Sequence, residues 1–273
     1  MGWGWALVWG ADPREIVRAS VEKNAHNADA SLNYRFLERQ EVRELDRSGK
    51  IKSRKIETWD ITPMEGSPYR RLVARDDLPL AAGEQQREEE KLRFSSDQRR
   101  QETPEQRKAR VAAWQQREER QRAPLRDLPE AFNFTLHGEE RLDGRAVWVI
   151  DANPRPGYRP RSTFTAFFPK VHLRLWIDEK DDQGAKVEME ALDTITFGGF
   201  LVRLAKGSHL MIEQTRVDED VWLPERVSVV ASARILLLKG FHRDFEYTFS
   251  NYRRSTAGPH AAAGGSVSAI VPE

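Results

Sequence analysis

The chain has 273 residues, with 44 Lys plus Arg against 43 Asp plus Glu, a formal net charge of +1, eight Trp and no Cys. The lack of Cys excludes disulfides, thiol catalysis and cysteine zinc sites, and the balanced charge offers none of the strongly basic face that nucleic-acid binders carry. No run approaches the ~20 apolar residues of a membrane-spanning helix, and the length suits one large domain or two small ones.

Residues 1–11, MGWGWALVWGA, are apolar, uncharged and end in small residues. They resemble the end of a secretory signal peptide, though they are short for a whole one and have no basic start. They are read as a signal-peptide remnant outside the mature fold, which places the protein in the periplasm. Asp12-Pro13-Arg14-Glu15 predicts a helix start, with Asp12 as cap, Pro13 at the first position and Glu15 completing a capping box. Ile16, Val17 and Val21 give that helix a modest apolar face through about Lys23.

From Leu32 the period changes to two. Tyr34, Phe36 and Val42 share one parity, and Arg35, Arg39 and Arg43 the other. A turn at 47–50 leads into a return strand from Ile51 to Met64, and Pro68 to Ala74 reads as a third. Residues 83–123 break this pattern, about two-thirds of them being Lys, Arg, Asp, Glu or Gln. They predict a charged helical insertion of two helices, Glu84 to Gln101 and Pro104 to Gln121, the second capped by Thr103 and Gln106. With only Leu92, Phe94, Val111 and Trp114 as apolar anchors, the pair is expected to be a solvated protrusion or a disordered insert, ended by Pro124 and Pro129.

Strands resume at Phe132 to Glu140, turn at Asp143-Gly144 and return over Val147 to Ala152. The stretch from Asn153 to Pro160 is too rich in Pro for a regular strand. Its arginines, Arg155, Arg159 and Arg161, with Lys170 and Arg174, are suited to phosphates or lipid headgroups, or simply to water. Val171 to Ile177 is followed by a turn over 178–184 and one long strand carrying Val187, Met189, Ala191, Ile195 and Phe197, broken at Gly198-Gly199. A hairpin of His209 to Val217 and Trp222 to Ala233 precedes a last strand with Phe241, Phe245, Tyr247 and Phe249 on one face. Residues 255–273 are rich in Ala, Gly and Ser and are read as a disordered tail. Successive short strands with one apolar face predict a single antiparallel meander covering a core on one side.

The chemistry of enzymes is missing from this pattern. No His pair has metal-ligand spacing, and there is no phosphate-binding Gly loop and no nucleophile elbow. The carboxylates are spread over strand faces and the insertion, so no catalytic residue, metal or cofactor is expected, and no enzymatic activity.

Four segments, taken in order, resemble the outer-membrane lipoprotein-sorting (LolA/LolB-like) family. They are the hairpin 138–151, the strand end Leu173-Arg174-Leu175-Trp176-Ile177-Asp178, the run Val221-Trp222-Leu223-Pro224-Glu225-Arg226-Val227, and Phe249-Ser250-Asn251-Tyr252-Arg253. The resemblance covers residues 12–254. It departs from the family in the 83–123 insertion, in the extra Pro/Arg stretch and in lacking a lipidated Cys, so it marks a divergent relative. It implies a mainly β (α+β) fold, a strongly curved antiparallel sheet forming an unclosed barrel with helices packed on its concave side. It also implies a soluble monomeric carrier that binds acyl chains of lipid or lipoprotein, with a membrane or lipoprotein-handling protein as partner and no nucleic acid. The ligand-cavity candidates are Tyr34, Phe36, Trp59, Trp148, Trp176, Met189, Phe197, Phe245 and Phe249. The alternative is an envelope-stress sensor or scaffold of the same fold, with the 83–123 helices as its docking element for a protein partner.

Overall fold

The computed structural model describes residues 12–46, 48–197, 202–235 and 239–255. Residues 1–11, Gly198-Gly199 and 256–273 therefore lie outside the described residues. Helix α1, Pro13–Ser31, opens the fold. Four strands follow: β1 Tyr34–Leu45, β2 Ile51–Met64, β3 Ser67–Arg75 and the short β4 Leu78–Pro79. Then come α2 Ala82–Arg100, α3 Pro104–Arg126 and the single turn α4 Leu128–Ala131. The second strand series is β5 Phe132–Leu142, β6 Arg145–Pro154, β7 Val171–Asp178, β8 Gly184–Ala191, β9 Ile195–Phe197, β10 Val202–Leu204, β11 His209–Arg216, β12 Trp222–Ile235 and β13 Lys239–Arg254.

The pairs are antiparallel, and the main path runs β4-β3-β2-β1-β13-β12-β11-β8-β7-β6-β5, with β9 and β10 beside the end of β12. Strand twist accumulated over so many strands curls the sheet, and β4 and β5 remain separate edges, so the barrel does not close. This is the unclosed barrel that the resemblance implies. The meander itself is split. The first strand lies against the last, from Tyr34 opposite Arg254 to Leu45 opposite His242. The early hairpins therefore form one arm and β5 to β8 the other.

Local chemistry explains most element ends. The β5–β6 hairpin turns on Asp143 and Gly144, with φ of 49° and 79°, the two left-handed positions a tight hairpin loop needs. Thr103 accepts from the Gln106 amide at 3.2 Å while the Gln106 side chain accepts from the Thr103 amide at 2.9 Å, the reciprocal cap expected there. In α1 the capping box does not form. Asp12 accepts instead from the Arg14 amide at 2.9 Å, and Glu15 turns to Arg18. α1 also runs eight residues beyond Lys23, because its second half is buried through Asn27 and Ala28 rather than through large apolar side chains. Pro124 sits inside the last turn of α3. β6 continues through Asn153 and Pro154, which pair with Asn133 and Phe132 on the edge strand. The expected long strand after 184 is interrupted at 192–194 and becomes β8 and β9.

Nor is the charged insertion a free protrusion. Arg99 donates to the carbonyls of Met64, Ser67 and Pro68 at 2.8, 3.1 and 3.3 Å. Arg110 donates to Ser67 Oγ at 2.6 Å and to the Glu65 carbonyl at 2.9 Å. Gly66, at φ 83°, lets Val111 approach the turn, since a Cβ there would lie 3.0 Å from a Val111 methyl. At its other end α3 reaches α1, where Arg122 meets Asp29 at 3.4 Å. α3 is thus a strap fixed at the β2–β3 turn and at α1.

The inner face carries two adjoining apolar clusters. Ile16 and Val17 of α1 pack with Phe132, Ile150, Phe168, Val171, Leu173, Leu175 and Ile177. Phe36, Ile61, Val227, Phe245, Tyr247 and Phe249 make the second, with Ile212 against it. Each such side chain contributes on the order of 1.5–3 kcal/mol when fully buried. The outer face of the β1–β3 arm is a carboxylate–arginine lattice instead. Asp60 is held by Arg35 at 2.5 and 2.8 Å and by Arg71 at 3.0 Å, and Glu41 by Arg39, Arg43 and Arg54 at 3.0, 2.6 and 2.7 Å.

Candidate functional site

A cleft of about 80 Å³ opens on the inner face between α1, the end of α3, α4 and strands β7, β8 and β11. Val17 and Val21 form its α1 wall and Leu175, Ile177, Val187 and Ile212 its sheet floor, with Leu125 and Leu128 closing the side. Ser20, Asn24, Gln214 and Lys186 add polar groups. The helical spacing of Val17, Val21 and Asn24 and the strand spacing of Leu175 and Ile177 bring these side chains to one place. An apolar lining with a few polar groups is the make-up of a small-molecule site, but the volume is well below the roughly 300–1,000 Å³ of occupied ligand pockets.

One end of the cleft is pinned. Asn27 donates to Gln183 Oε1 at 2.7 Å and accepts from the Trp222 amide at 3.1 Å, which ties α1 to the 178–184 turn and to the start of β12. The strap side is looser. Neither α2 nor α3 buries any residue fully. The inward stripe of α3 includes Trp114 and Glu118, and one Glu118 carboxylate oxygen is buried with no hydrogen-bond partner. Burial pushes the Glu118 carboxyl up to about 6, against the pull of Arg122 and Arg117.

The nine predicted cavity residues divide among several places. Trp148 and Met189 pack against the α1-side cluster. Phe36, Phe245 and Phe249 are buried in the second inner cluster, with Trp59 beside them. The Trp59 indole nitrogen is buried without a partner, and the Arg70 guanidinium lies 5.0 Å over its ring. Tyr34 packs with Val221 and Leu223 and donates to Asp218 at 2.9 Å. Trp176 borders the cleft, but its ring joins Val147, Val149, Ala185 and Trp222, donates to Glu140 at 2.9 Å and lies under Lys186 Nζ at 4.6 Å. The Phe197 side chain lies outside the described residues. The aliphatic walls were missed by sequence reasoning because it favoured aromatics. The signal available was the Val17–Val21 pair on the capped helix.

Among the described residues no group of three or more His, Asp or Glu is arranged to hold a metal ion, and no helix is long and apolar enough to cross a membrane.

No family model matches the chain, and no curated protein matches it. Solved structures do resemble it. One is a putative outer-membrane lipoprotein-sorting protein domain from Vibrio parahaemolyticus, at 12% identity, covering 89% of this chain and 95% of that one, with a TM-score of 0.38. Another is a LolA superfamily protein from Nitrosomonas europaea, at 11% identity, covering 86% and 94%, with a TM-score of 0.27. A third is the MucA/MucB complex of Pseudomonas aeruginosa, at 11% identity, covering 90% and 100%, with a TM-score of 0.23. These are likenesses of overall architecture.

Proposed function

We propose that the protein is a periplasmic carrier that binds acyl chains of lipid or lipoprotein in the cleft beneath α1. The observation that carries this reading is an apolar cleft between α1 and the sheet, closed at its side by Leu125 at the end of α3, a helix that buries no residue of its own. A chain left in water costs about 0.8 kcal/mol per CH₂, so an apolar floor attracts it without catalytic groups. At about 80 Å³ the cleft is too small for an acyl chain, so on this reading loading requires α1 and the end of α3 to part from the sheet.

The absence of native Cys makes a clean test available. A Cβ on Gly184 would lie 3.3 Å from Ser20 Oγ, so Cys at both positions is within reach of a disulfide across the cleft. Wild type and reduced Ser20→Cys/Gly184→Cys are expected to take up a fluorescent long-chain fatty acid, and the oxidised form to lose that uptake and regain it on reduction. No uptake by wild type, or equal uptake by the oxidised form, overturns the reading.

A second reading, a scaffold that binds a protein partner through α2 and α3, is favoured by Phe94, which is 69% exposed on α2. Loss of a captured periplasmic partner in Phe94→Ser, with fatty-acid uptake intact, distinguishes it.

A further inference from the structure

The loop between β6 and β7 has no part in the cleft. From residue 152 to residue 177 the chain carries Arg155, Arg159, Arg161, Lys170 and Arg174 and no carboxylate, in a protein whose formal net charge is +1. Arg159 makes no ion pair or hydrogen bond among the described residues, and the Arg161 side chain is 70% exposed. Arg174, on β7, is held by Asp151 at 2.8 Å, but the acids beside the loop itself are looser. Asp127 is 3.5 Å from Arg161, Glu130 is 3.5 Å from Arg155 and Asp193 is 3.4 Å from Lys170, all longer than the roughly 2.7–2.9 Å of a tight charged hydrogen bond. Between these cations Phe164 is 48% exposed.

The loop is held in this form. Tyr158 donates to Asp127 at 3.1 Å, and the buried Thr165 hydroxyl accepts from the Arg161 and Ser162 amides at 3.2 Å each. Phe168 anchors its far side in the core against Phe132. An exposed aromatic beside exposed arginines is therefore built into the fold.

Its position supplies the second observation. The Arg155 amide donates to the Ala131 carbonyl at 2.9 Å, and Arg14, in the first turn of α1, donates to the Pro129 carbonyl at 2.6 Å. The loop and the start of α1 thus share one end of the molecule. Exposed cations and an exposed Phe at one end of the molecule are the complementary parts of an interfacial membrane contact, in which one apolar anchor and a basic patch act together.

We infer that this end of the protein, centred on Arg155, Arg159, Arg161 and Phe164, docks on an anionic lipid bilayer surface. The contact goes beyond the carrier reading and does not need the cleft to hold a ligand. Each arginine near such a surface strengthens binding about fivefold, and the gain falls with salt.

The test uses the full chain and vesicles of phosphatidylglycerol with phosphatidylethanolamine, against vesicles of phosphatidylcholine. Wild type is expected to sediment with the anionic vesicles at least tenfold more tightly than with the neutral ones, and Arg159→Glu/Arg161→Glu to lose at least tenfold of that. Arg87→Glu/Arg93→Glu on α2, an equal change of net charge, is expected to keep most of it. Because the chain has no Cys, an environment-sensitive dye on Thr163→Cys reports the loop alone, brightening on anionic vesicles, while the same dye on Gln85→Cys of α2 stays unchanged. Melting temperatures equal to wild type establish that the variants fold. Equal binding to both vesicles, equal loss in both charge variants, no vesicle binding by wild type, or no dye response at 163 overturns the inference.

Discussion

Glu118 is the residue whose chemistry is most at odds with its place. Its carboxyl is raised from the ordinary value of 4.5 to about 6 by burial, and one oxygen has no partner. The folded chain therefore holds this proton better than the unfolded chain does. Stability falls as pH rises from about 4.5 to about 6, and the penalty is fully present above that. Glu118→Gln removes the ionisation and is expected to raise neutral-pH stability by about 1 kcal/mol, the direct conversion of the shift being reduced because the side chain keeps some contact with water. In a chain of this length that corresponds to a melting temperature higher by about 2–4 °C. The gain should vanish in melts below about pH 4.5. A gain that persists unchanged there would mean that Glu118 is strained for reasons other than its charge.

At the scale of elements, α2 and α3 differ from every strand they touch. They hold on by polar contacts concentrated in Arg99 and Arg110 at the β2–β3 turn, and Arg110 also chelates Glu102 at 2.6 and 2.7 Å. Helices attached through so few charged hydrogen bonds open locally at lower cost than core strands. Arg110→Ala removes interactions worth about 1.5–3 kcal/mol each. It is expected to speed proteolytic cutting within 82–126 at least tenfold while exchange in β6 and β7 stays unchanged, and uniform acceleration would show that the strap is integral to the core. The helices themselves were legible from Thr103-Pro104 and the change in composition, and β2 from its turn signals. What attaches them was not legible, because arginines that seek carbonyls leave no periodic trace. Parity also could not be carried from one strand to the next. Bulges between Arg35 and Leu37, between Thr58 and Trp59 and between Leu136 and Gly138 each shift the register, and on β7 Trp176 alternates with Leu173, Leu175 and Ile177, so it packs on the opposite face with Val149 and Trp222. The pairing of β1 with β13 joins residues some two hundred positions apart, which only the folded sheet specifies.

Over the whole molecule the two arms are stabilised by different forces. The β5–β8 arm packs an apolar core against α1, with Phe132, Ile150 and Val171 fully buried. The β1–β3 arm depends more on carboxylates that are themselves buried: Glu38, Glu41 and Asp60. Hydrogen bonds from Arg54, then Arg43 and Arg39, hold Glu41 down to about 2 against the opposing effect of burial. For Asp60 burial works to raise the pKa, yet Arg35 and Arg71 keep it below the ordinary value. A carboxylate with a depressed folded pKa contributes stability that is present above its unfolded value near 4.5 and is lost as pH falls toward 2. Because Arg54 is half exposed, the Glu41 contribution is discounted to about 1–2 kcal/mol. Acid should thus loosen the β1–β3 arm first. Hydrogen exchange measured between pH 5 and about pH 3 is expected to accelerate in β1 and β2 before β6 and β7, after correction for the intrinsic pH dependence of exchange. Glu41→Gln, which leaves three arginines without their shared anion, should reproduce the same local acceleration at neutral pH and blunt the further effect of acid. If both arms instead loosen together in acid, the sheet is one cooperative unit through the β1–β13 seam, and the charged lattice carries no separate share of its stability.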